Sequence, residues 1–178
     1  NARCRSEAEY EALYRESIEQ PEQFWARMAA ENLEWAKRWD TVREYSFDDI
    51  GAAARPYLKF FEGGKLNVAY NCLDRHLNSA TRNKAAIIWQ GERESEKRTL
   101  TYQQLHREVC RTANVLRKYG VRPGSAVTIF LPMIPELAIT VLACARLGAL
   151  HSVVFSAFSG EALRSRIQDC KGTFVVTA

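Results

Sequence analysis

Two pairs of cysteine and histidine residues are the first side chains in this sequence that could do chemistry. Cys72 and His76 lie four positions apart, and His106 and Cys110 have the same spacing on a second helical stretch. Residues of these types ligate zinc, so a Cys2His2 site is conceivable. We expect no metal, because both stretches have complete apolar faces and the chain is long enough to form a core without one.

The tripeptide Asp74-Arg75-His76 brings together a carboxylate, a cation and an imidazole. Such groups could form a catalytic cluster, but neighbouring residues on a helix point in different directions. Helix capping and surface ion pairing are the alternative interpretation, and they are the one that we favour.

A third candidate is the turn that follows the apolar residues 152–155. Ser156 and Ala157 begin this turn, which leads into a helix capped by Ser159. Ligands of open α/β sheets collect beyond the carboxyl ends of strands, and free N–H groups at a helix start attract anions. The turn is therefore either an anion site or an ordinary connection with a serine cap.

Other phosphate-binding or nucleophile motifs do not occur in the sequence. It contains neither G-x-x-x-x-G-K-[ST] nor G-x-G-x-x-G, and it lacks G-x-S-x-G. Composition and spacing therefore indicate no mechanism.

The composition is that of a globular protein able to position such groups. Of the 178 residues, 47% are hydrophobic and 26% charged, which excludes disordered and fibrous classes. Residues 1–50 carry seven Lys/Arg against twelve Asp/Glu, and residues 51–178 carry eighteen against nine. The basic part could attract an anionic partner, but no run of cations concentrates the charge, which favours an ordinary solvated surface. We expect neither nucleic acid nor membrane as a partner.

Cysteine usage and hydropathy indicate the compartment. Five cysteines without C-x-x-C spacing predict reduced thiols and a cytoplasmic location. The opening residues 1–3 are not followed by the short apolar run of a signal peptide, so we predict none. The most apolar stretch, residues 126–155, is interrupted by Glu136 and Arg146, whereas a membrane span needs about 20 apolar residues. We expect a soluble protein.

A helical hairpin is predicted at the start of the chain. Ser6 and Glu9 form a capping box, and Pro21 occupies the first position of a second helix that extends to Ala36. Its aromatic residues should pack on something larger. They are Phe24, Trp25, Trp35 and Trp39.

Less regular structure is predicted next. Periodicity fades over residues 40–64, where Gly51 and other turn formers predict an arm rather than a layer. Residues 67–77 are predicted to form a short helix, and residues 85–90 a strand that precedes the polar loop of residues 91–98.

Strands and helices alternate beyond residue 100. Thr101 and Gln104 cap a helix that ends at Gly120, and a second helix runs from Pro135 to Gly148. Apolar strands are predicted over residues 127–131, 152–155 and 173–177, with a third helix after Ser159. This alternation is typical of a parallel sheet with right-handed crossovers.

The predicted fold class is therefore α/β, with a helical cap and an extended arm before the first βαβ units of a layered, mainly parallel sheet. We expect residues 1–64 to form the cap and connecting arm, and residues 65–178 to begin a larger domain. We expect that domain to continue beyond Ala178, because a three-stranded sheet with an unpaired edge is incomplete.

Three long strings in the sequence are more specific than any of these features. Residues 60–77 read FFEGGKLNVAYNCLDRHL, residues 131–136 read LPMIPE and residues 142–155 read LACARLGALHSVVF. They resemble the strings F-x-G-G-x-L-N-x-x-Y-N-C-L-D-R-H, L-P-M-x-P-E and L-A-C-A-R-x-G-A-x-H-S-V-V-F of the acetyl-CoA synthetase family. The helical opening also resembles the family's amino-terminal cap, so the likeness covers essentially the whole chain.

The resemblance implies an AMP-forming ligase of the adenylate-forming superfamily, of which this chain is an amino-terminal fragment. Such an enzyme uses ATP and Mg²⁺ to convert acetate into acetyl-AMP, and the thiol of CoA then displaces AMP. The phosphate loop, the acetate pocket and the catalytic lysine of the family lie beyond Ala178, so the resemblance implies no catalytic residue here and an inactive fragment. The expected partners are these small molecules and the remainder of the same polypeptide.

The resemblance also implies one possible contact with CoA. In the family, the turn after Phe155 lies near the CoA nucleotide, so Phe155, Ser156 and Ala157 are the candidate binding residues. Here Ser156 and Ala157 replace the two glycines of the commoner Phe-Gly-Gly-Phe-Ser.

Two other functions stay open. A sibling ligase acting on propionate or acetoacetate would look the same over these residues, because the acyl pocket is absent. A non-catalytic interaction module built from the cap and the arm would be favoured if the natural chain stops near Ala178.

Overall fold

The computed structural model describes residues 4–47 and 55–178. Six α-helices occur in these ranges, and two short 3-10 turns follow the third of them, at Asp74–His76 and Ala80–Asn83. The helices are α1 (Glu7–Glu19), α2 (Pro21–Asn32), α3 (Val68–Cys72), α4 (Tyr102–Lys118), α5 (Pro135–Leu147) and α6 (Gly160–Asp169).

The described residues also form seven strands in three separate sheets. The strands are β1 (Thr41–Ser46), β2 (Tyr57–Glu62), β3 (Ala85–Gln90), β4 (Lys97–Thr101), β5 (Ala126–Phe130), β6 (Leu150–Val153) and β7 (Phe174–Thr177). The chain divides into two compact units, a first unit of residues 1–66 and a second unit of residues 67–178.

The first unit opens with the predicted helical hairpin. Ser6 Oγ accepts the N–H of Glu9 at 3.2 Å, whereas the Glu9 carboxylate accepts the N–H of Arg5 rather than that of Ser6. Arg27 of α2 pairs with Glu16 of α1 at 2.6 Å. The second helix ends at Asn32 and not at Ala36, because the backbone becomes extended at the next residue. Trp35 and Trp39 therefore lie outside the hairpin.

The loss of regular structure predicted over residues 40–64 was wrong, because two strands lie in this range. β1 and β2 form an antiparallel hairpin, with Thr41 opposite Glu62 and Ser46 opposite Tyr57. Most side chains of both strands are exposed, so the sequence lacks the clean apolar alternation of a half-buried strand. Gly51, on which part of that prediction rested, lies outside the described residues, as do residues 1–3.

The second unit begins with shorter elements than predicted. The expected helix over residues 67–77 is split into α3 and a 3-10 turn, because the backbone of Leu73 leaves the helical region. β3 has the predicted bounds, but the polar loop after it is shorter than predicted. Lys97 and Arg98 already belong to β4, since charged side chains are accommodated on the exposed face of a two-stranded hairpin.

The parallel sheet that the alternation predicted is present in the second unit. Its order is β6-β5-β7, with both outer strands parallel to the central β5. Residues 127–129 of β5 are fully buried. Other elements pack on both faces of a parallel sheet and bury its central strand, so this strand is apolar along most of its length.

Helices α4 and α5 begin and end as predicted. Thr101 Oγ1 accepts the N–H of Gln104, and the side chain of Gln104 accepts the N–H of Thr101. α5 begins at Pro135 and ends at Gly148, whose φ is +69°. The two helices pack with the sheet around one apolar core. Its buried members are Leu73, Leu100, Leu105, Val109, Ala113, Leu116, Val121, Val127, Ile129, Leu131, Ile139, Ala143, Cys144 and Ala149. Across the described ranges, no helix has both the length and the apolar character needed to cross a bilayer.

Candidate functional site

The turn after β6 begins two residues earlier than predicted. β6 spans Leu150–Val153 rather than residues 152–155. Val154 is buried and still donates its N–H to Ile129 of β5 at 2.9 Å, but Phe155 has left the sheet and is 59% exposed. The apolar character of Phe155 made it look like a strand residue, whereas the end of the ladder with β5 determines where the strand stops.

The turn itself is closed by one backbone hydrogen bond and one aromatic contact. Phe158 donates its N–H to the carbonyl of Phe155 at 3.0 Å, and the two rings meet edge to face with centroids 6.0 Å apart. Ser156 and Ala157 are exposed between them. Neither residue has a positive φ, so the backbone of this turn accommodates a side chain at both positions.

Helix α6 starts directly after the turn. Ser159 Oγ accepts the N–H of Ala162 at 3.3 Å, as its predicted capping role requires. The other early N–H groups have no partner within the helix and are the groups that bind anions in other proteins. Glu161 in the first helical turn opposes an anion, whereas Arg164 and Arg166 are exposed cations on the same helix.

A proline-containing loop lies at the same edge of the sheet, since parallel strands end at one edge. This loop follows β5, and residues of the β3–β4 hairpin hold it in place. Trp89 Nε1 donates to the carbonyl of Met133 in the loop at 2.7 Å, and Arg98 pairs at 2.5 Å with Glu136 in the first turn of α5, directly after the loop. The Arg98 hydrogen bond lowers the pKa of the Glu136 carboxyl. Sequence reasoning missed both contacts, because no local pattern connects residues that lie about 40 positions apart.

The Asp74 carboxylate joins three elements instead of acting with its sequence neighbours. It accepts a hydrogen bond from the Arg146 guanidinium of α5 and lies 3.3 Å from His106 Nε2 of α4. Arg75 instead donates to Asn71 Oδ1 at 3.2 Å, and the ring of His76 packs edge to face against Tyr102. The structure thus supports the pairing interpretation of this tripeptide rather than the catalytic one.

The two predicted Cys–His pairs are arranged differently. His106 Nε2 lies 3.5 Å from Cys110 Sγ, whereas His76 contacts an aromatic ring and Cys72 is exposed. Within residues 4–47 and 55–178, no group of three or more His, Cys, Asp or Glu residues is arranged to hold a metal ion. All five cysteines are free thiols. Burial raises the pKa of the Cys144 thiol to about 11, so this sulfur is protonated at neutral pH.

The exposed residues of this turn are 155–159, and the groups that they and the start of α6 present are of the kinds that contact anions and flat rings. The turn offers helix N–H groups, nearby arginines and an aromatic pair, but it holds no base or nucleophile aligned for catalysis among the described residues.

Comparisons with known proteins agree over nearly the whole chain. Residues 73–178 match the family model described as AMP-binding enzyme, and residues 10–72 match that described as acetyl-coenzyme A synthetase N-terminus. The acetyl-coenzyme A synthetase of Leptospira biflexa serovar Patoc (strain Patoc 1 / Ames) is 55% identical over 170 residues, which are 96% of this chain and 25% of the relative. That of Syntrophus aciditrophicus (strain SB) is 50% identical over 95% of this chain and 25% of its own length.

A solved structure shows the same architecture. The acetoacetyl-CoA synthetase from Streptomyces lividans has a TM-score of 0.82 and 26% identity, over 98% of this chain and 26% of that protein. The chain thus spans about a quarter of the length of the proteins that it matches. Because one family model covers more than half of its residues, the chain belongs to the AMP-binding enzyme family.

Proposed function

We propose that this chain is the amino-terminal part of an AMP-forming ligase that joins acetate to CoA. The observation that carries the proposal is the 55% identity to an acetyl-coenzyme A synthetase over 96% of the chain. In the proposed reaction a carboxylate oxygen of acetate attacks the α-phosphate of ATP, which forms acetyl-AMP and releases pyrophosphate. The thiol of CoA then attacks the acetyl carbon and releases AMP. Mg²⁺ would neutralise the phosphate charge.

The two parts of this chain would contribute differently to that enzyme. Residues 1–64 would serve as the cap and connecting segment, and residues 65–178 would begin the large AMP-binding domain. The parallel sheet and its buried β5 support the second assignment, because a rigid sheet edge is where such folds place their ligands. The five free thiols favour a reducing compartment, and we propose the cytoplasm.

Phe155, Ser156 and Ala157 are the residues that we propose for contact with CoA. They are exposed at the carboxyl edge of the sheet, and Phe155 offers one face of its ring beside Phe158. Aromatic rings stack on nucleotide bases, and the exposed Arg164 and Arg166 would attract phosphate groups. The side chains of Ser156 and Ala157 limit how closely the backbone approaches the ligand, so the ring and the arginines would dominate the contact.

A ligase for acetoacetate or propionate is the second candidate. The similarity to the acetoacetyl-CoA synthetase over 98% of this chain favours acetoacetate among these two acids. Twice as many residues are identical in the acetyl-coenzyme A synthetases, which is why we place acetate first.

Steady-state assays of the parent polypeptide test the proposal. We expect acyl-CoA formation from ATP, Mg²⁺, CoA and acetate with a kcat/KM higher than that for propionate or acetoacetate. A higher kcat/KM for propionate or acetoacetate would make that acid, and not acetate, the proposed substrate. No activity with any of the three, or an intact native mass of only 20.3 kDa, would overturn the proposed ligase and favour an interaction module.

A further inference from the structure

The first unit contains an apolar groove of about 580 Å³ between its helical hairpin and its β-hairpin. We call it the cap groove, and its apolar walls come from the end of α1, the start of α2 and one face of the β-hairpin. The lining residues are Ser17, Ile18, Pro21, Glu22, Trp25, Val42, Arg43, Phe60 and Phe61.

The walls of the cap groove are uncovered. Ile18 is 61%, Trp25 51% and Phe60 58% exposed. Phe24 and Ala29 are the buried apolar residues among those described in the first unit. Aromatic side chains bury roughly 150–250 Å² each when they are covered, so a contiguous exposed group of this size marks an interaction site.

Two charged residues, Arg43 and Glu22, line this mostly apolar surface. The Nε atom of Arg43 is buried and has no hydrogen-bond partner among the described residues, and its guanidinium lies 5.0 Å from the ring of Tyr45. Glu22 also lines the groove but forms no ion pair with Arg43 in the described part of the chain. A buried donor without a partner is unfavourable, and a carboxylate satisfies a guanidinium best because it accepts two parallel hydrogen bonds.

We propose that the cap groove is the docking site of an apolar segment of the parent polypeptide beyond Ala178 that carries an Asp or Glu carboxylate onto Arg43. The inference rests on the proposed function, because that function makes this chain part of a longer protein. Relatives are about four times as long as the chain, so the same polypeptide has ample length for such a segment. The apolar walls specify aliphatic or aromatic side chains, and Arg43 specifies the acid.

Photo-cross-linking in the full-length parent identifies the occupant. The photoreactive residue p-benzoylphenylalanine replaces Ile18 in the groove, and in a matched control it replaces Ala12, which is exposed, lies about 120° around α1 from Ile18 and does not line the groove. After irradiation and digestion, mass spectrometry identifies the linked peptide. We expect the Ile18 probe to link, at least tenfold more than the Ala12 probe, to an Asp- or Glu-containing peptide from beyond residue 178 of the same molecule.

Arg43 variants test the charge separately. Arg43→Ala should reduce the Ile18 cross-link severalfold, and Arg43→Lys should retain more of it because the positive charge stays. Links into residues 1–178, links between two molecules, or equal yields from both probe positions would overturn the proposal. Equal yields in the two Arg43 variants would overturn the role of the carboxylate. Acyl-CoA formation, measured on the unlabelled parent, reports independently on the proposed function, so the two failures are distinguishable.

Discussion

Ala157 is the residue at which the proposed CoA contact is most easily tested. Its side chain is exposed in the turn, so a larger group there fits the fold but obstructs a ligand at the sheet edge. We expect Ala157→Trp in the parent enzyme to raise the KM for CoA about tenfold, which corresponds to ~1.4 kcal/mol of binding free energy. Formation of acetyl-AMP should be unchanged, because CoA enters only in the second half-reaction.

The control for this prediction is Ala157→Gly, which removes the methyl group and should leave the KM for CoA unchanged or lower. Pyrophosphate exchange measures the first half-reaction and acyl-CoA formation the second. Equal losses in both for Ala157→Trp would show that the turn is structural and not a contact with CoA.

Asp74 shows how a residue with a catalytic appearance can instead stabilise the fold. Its carboxylate is about three-quarters buried between Arg146 and His106. Asp74→Asn leaves the guanidinium of Arg146 without an anion, and we expect a loss of about 2 kcal/mol in the free energy of unfolding. Urea unfolding of the protein measures it. The exposed pair of Glu108 and Arg111 supplies the control, because Glu108→Gln should cost less than about 1 kcal/mol. Equal losses would contradict the assigned role.

The sequence shows that Asp74 carries a carboxylate, but it does not show which residues pair with that carboxylate. Asp74 was noticed beside Arg75 and His76, whereas its actual partners are 32 and 72 positions away. Ion pairs at such distances depend on how α4 and α5 pack, and no local spacing encodes that packing.

The ends of the two helices that flank β6 provide a matched pair of glycines. Gly148 ends α5 in the left-handed region, with φ at +69° and Pro123 Cβ 3.6 Å from the position of an added methyl group. Gly160 begins α6 without a positive φ and with nothing within 4 Å of that position. Alanine is therefore strained at the first glycine, whereas at the second it only restricts the unfolded chain.

We accordingly expect the two glycine-to-alanine substitutions to change the free energy of unfolding in opposite directions. Gly148→Ala should destabilise the protein by about 1 kcal/mol, and Gly160→Ala should stabilise it by about 0.5 kcal/mol. Urea unfolding of the two variants and the unsubstituted protein measures both. Destabilisation by Gly160→Ala would show that this position needs glycine for a reason other than backbone conformation, such as close approach of a ligand.

The pairing of β4 with α5 predicts a pH dependence. Because the Arg98 hydrogen bond lowers the pKa of Glu136, the pair stabilises the fold above the ordinary glutamate value of 4.5, and this contribution is lost as the pH falls through the lower folded value. Both side chains are more than 40% exposed, so Arg98→Gln should cost only about 0.5 kcal/mol at pH 7 and nothing at strongly acidic pH. Thermal unfolding at both pH values measures this. Lys97→Gln is the control, and a pH-independent loss for Arg98→Gln would contradict the pairing.

Elements were predictable where their boundaries carry local signals. α5 is bounded by Pro135 and Gly148, and both residues mark a helix end through their backbone conformation. β1 and β2 were missed because a hairpin of largely exposed strands has no apolar alternation to show. β6 was displaced by two residues since the register with β5, and not the apolar character of Phe155, ends the strand.

At the scale of the molecule, the chain has a fold able to hold a site, but its sequence contains none of the phosphate-binding or nucleophile motifs named above. The three parallel strands bring the turn of residues 154–159 and the loop after β5 to one edge. Neither segment contains a glycine-rich phosphate cradle, and the sequence has none elsewhere. The chain aligns with only 25% of its relatives' length, so most of the proposed enzyme lies outside it.

Because most of the proposed enzyme lies outside these residues, we expect the 178-residue chain alone to perform neither half-reaction. Adenylate formation depends on positioning ATP and neutralising its phosphates, and the sequence contains no glycine-rich phosphate loop for that purpose. Acetate-dependent exchange of labelled pyrophosphate into ATP should stay at the level of a protein-free control, while the parent polypeptide gives a clear signal under the same conditions. Circular dichroism confirms that the chain is folded during the assay, so that inactivity cannot be due to unfolding. Exchange by the folded chain above the control would mean that phosphate-binding groups exist within these residues, and the first place to look would be the helix start after Ser159.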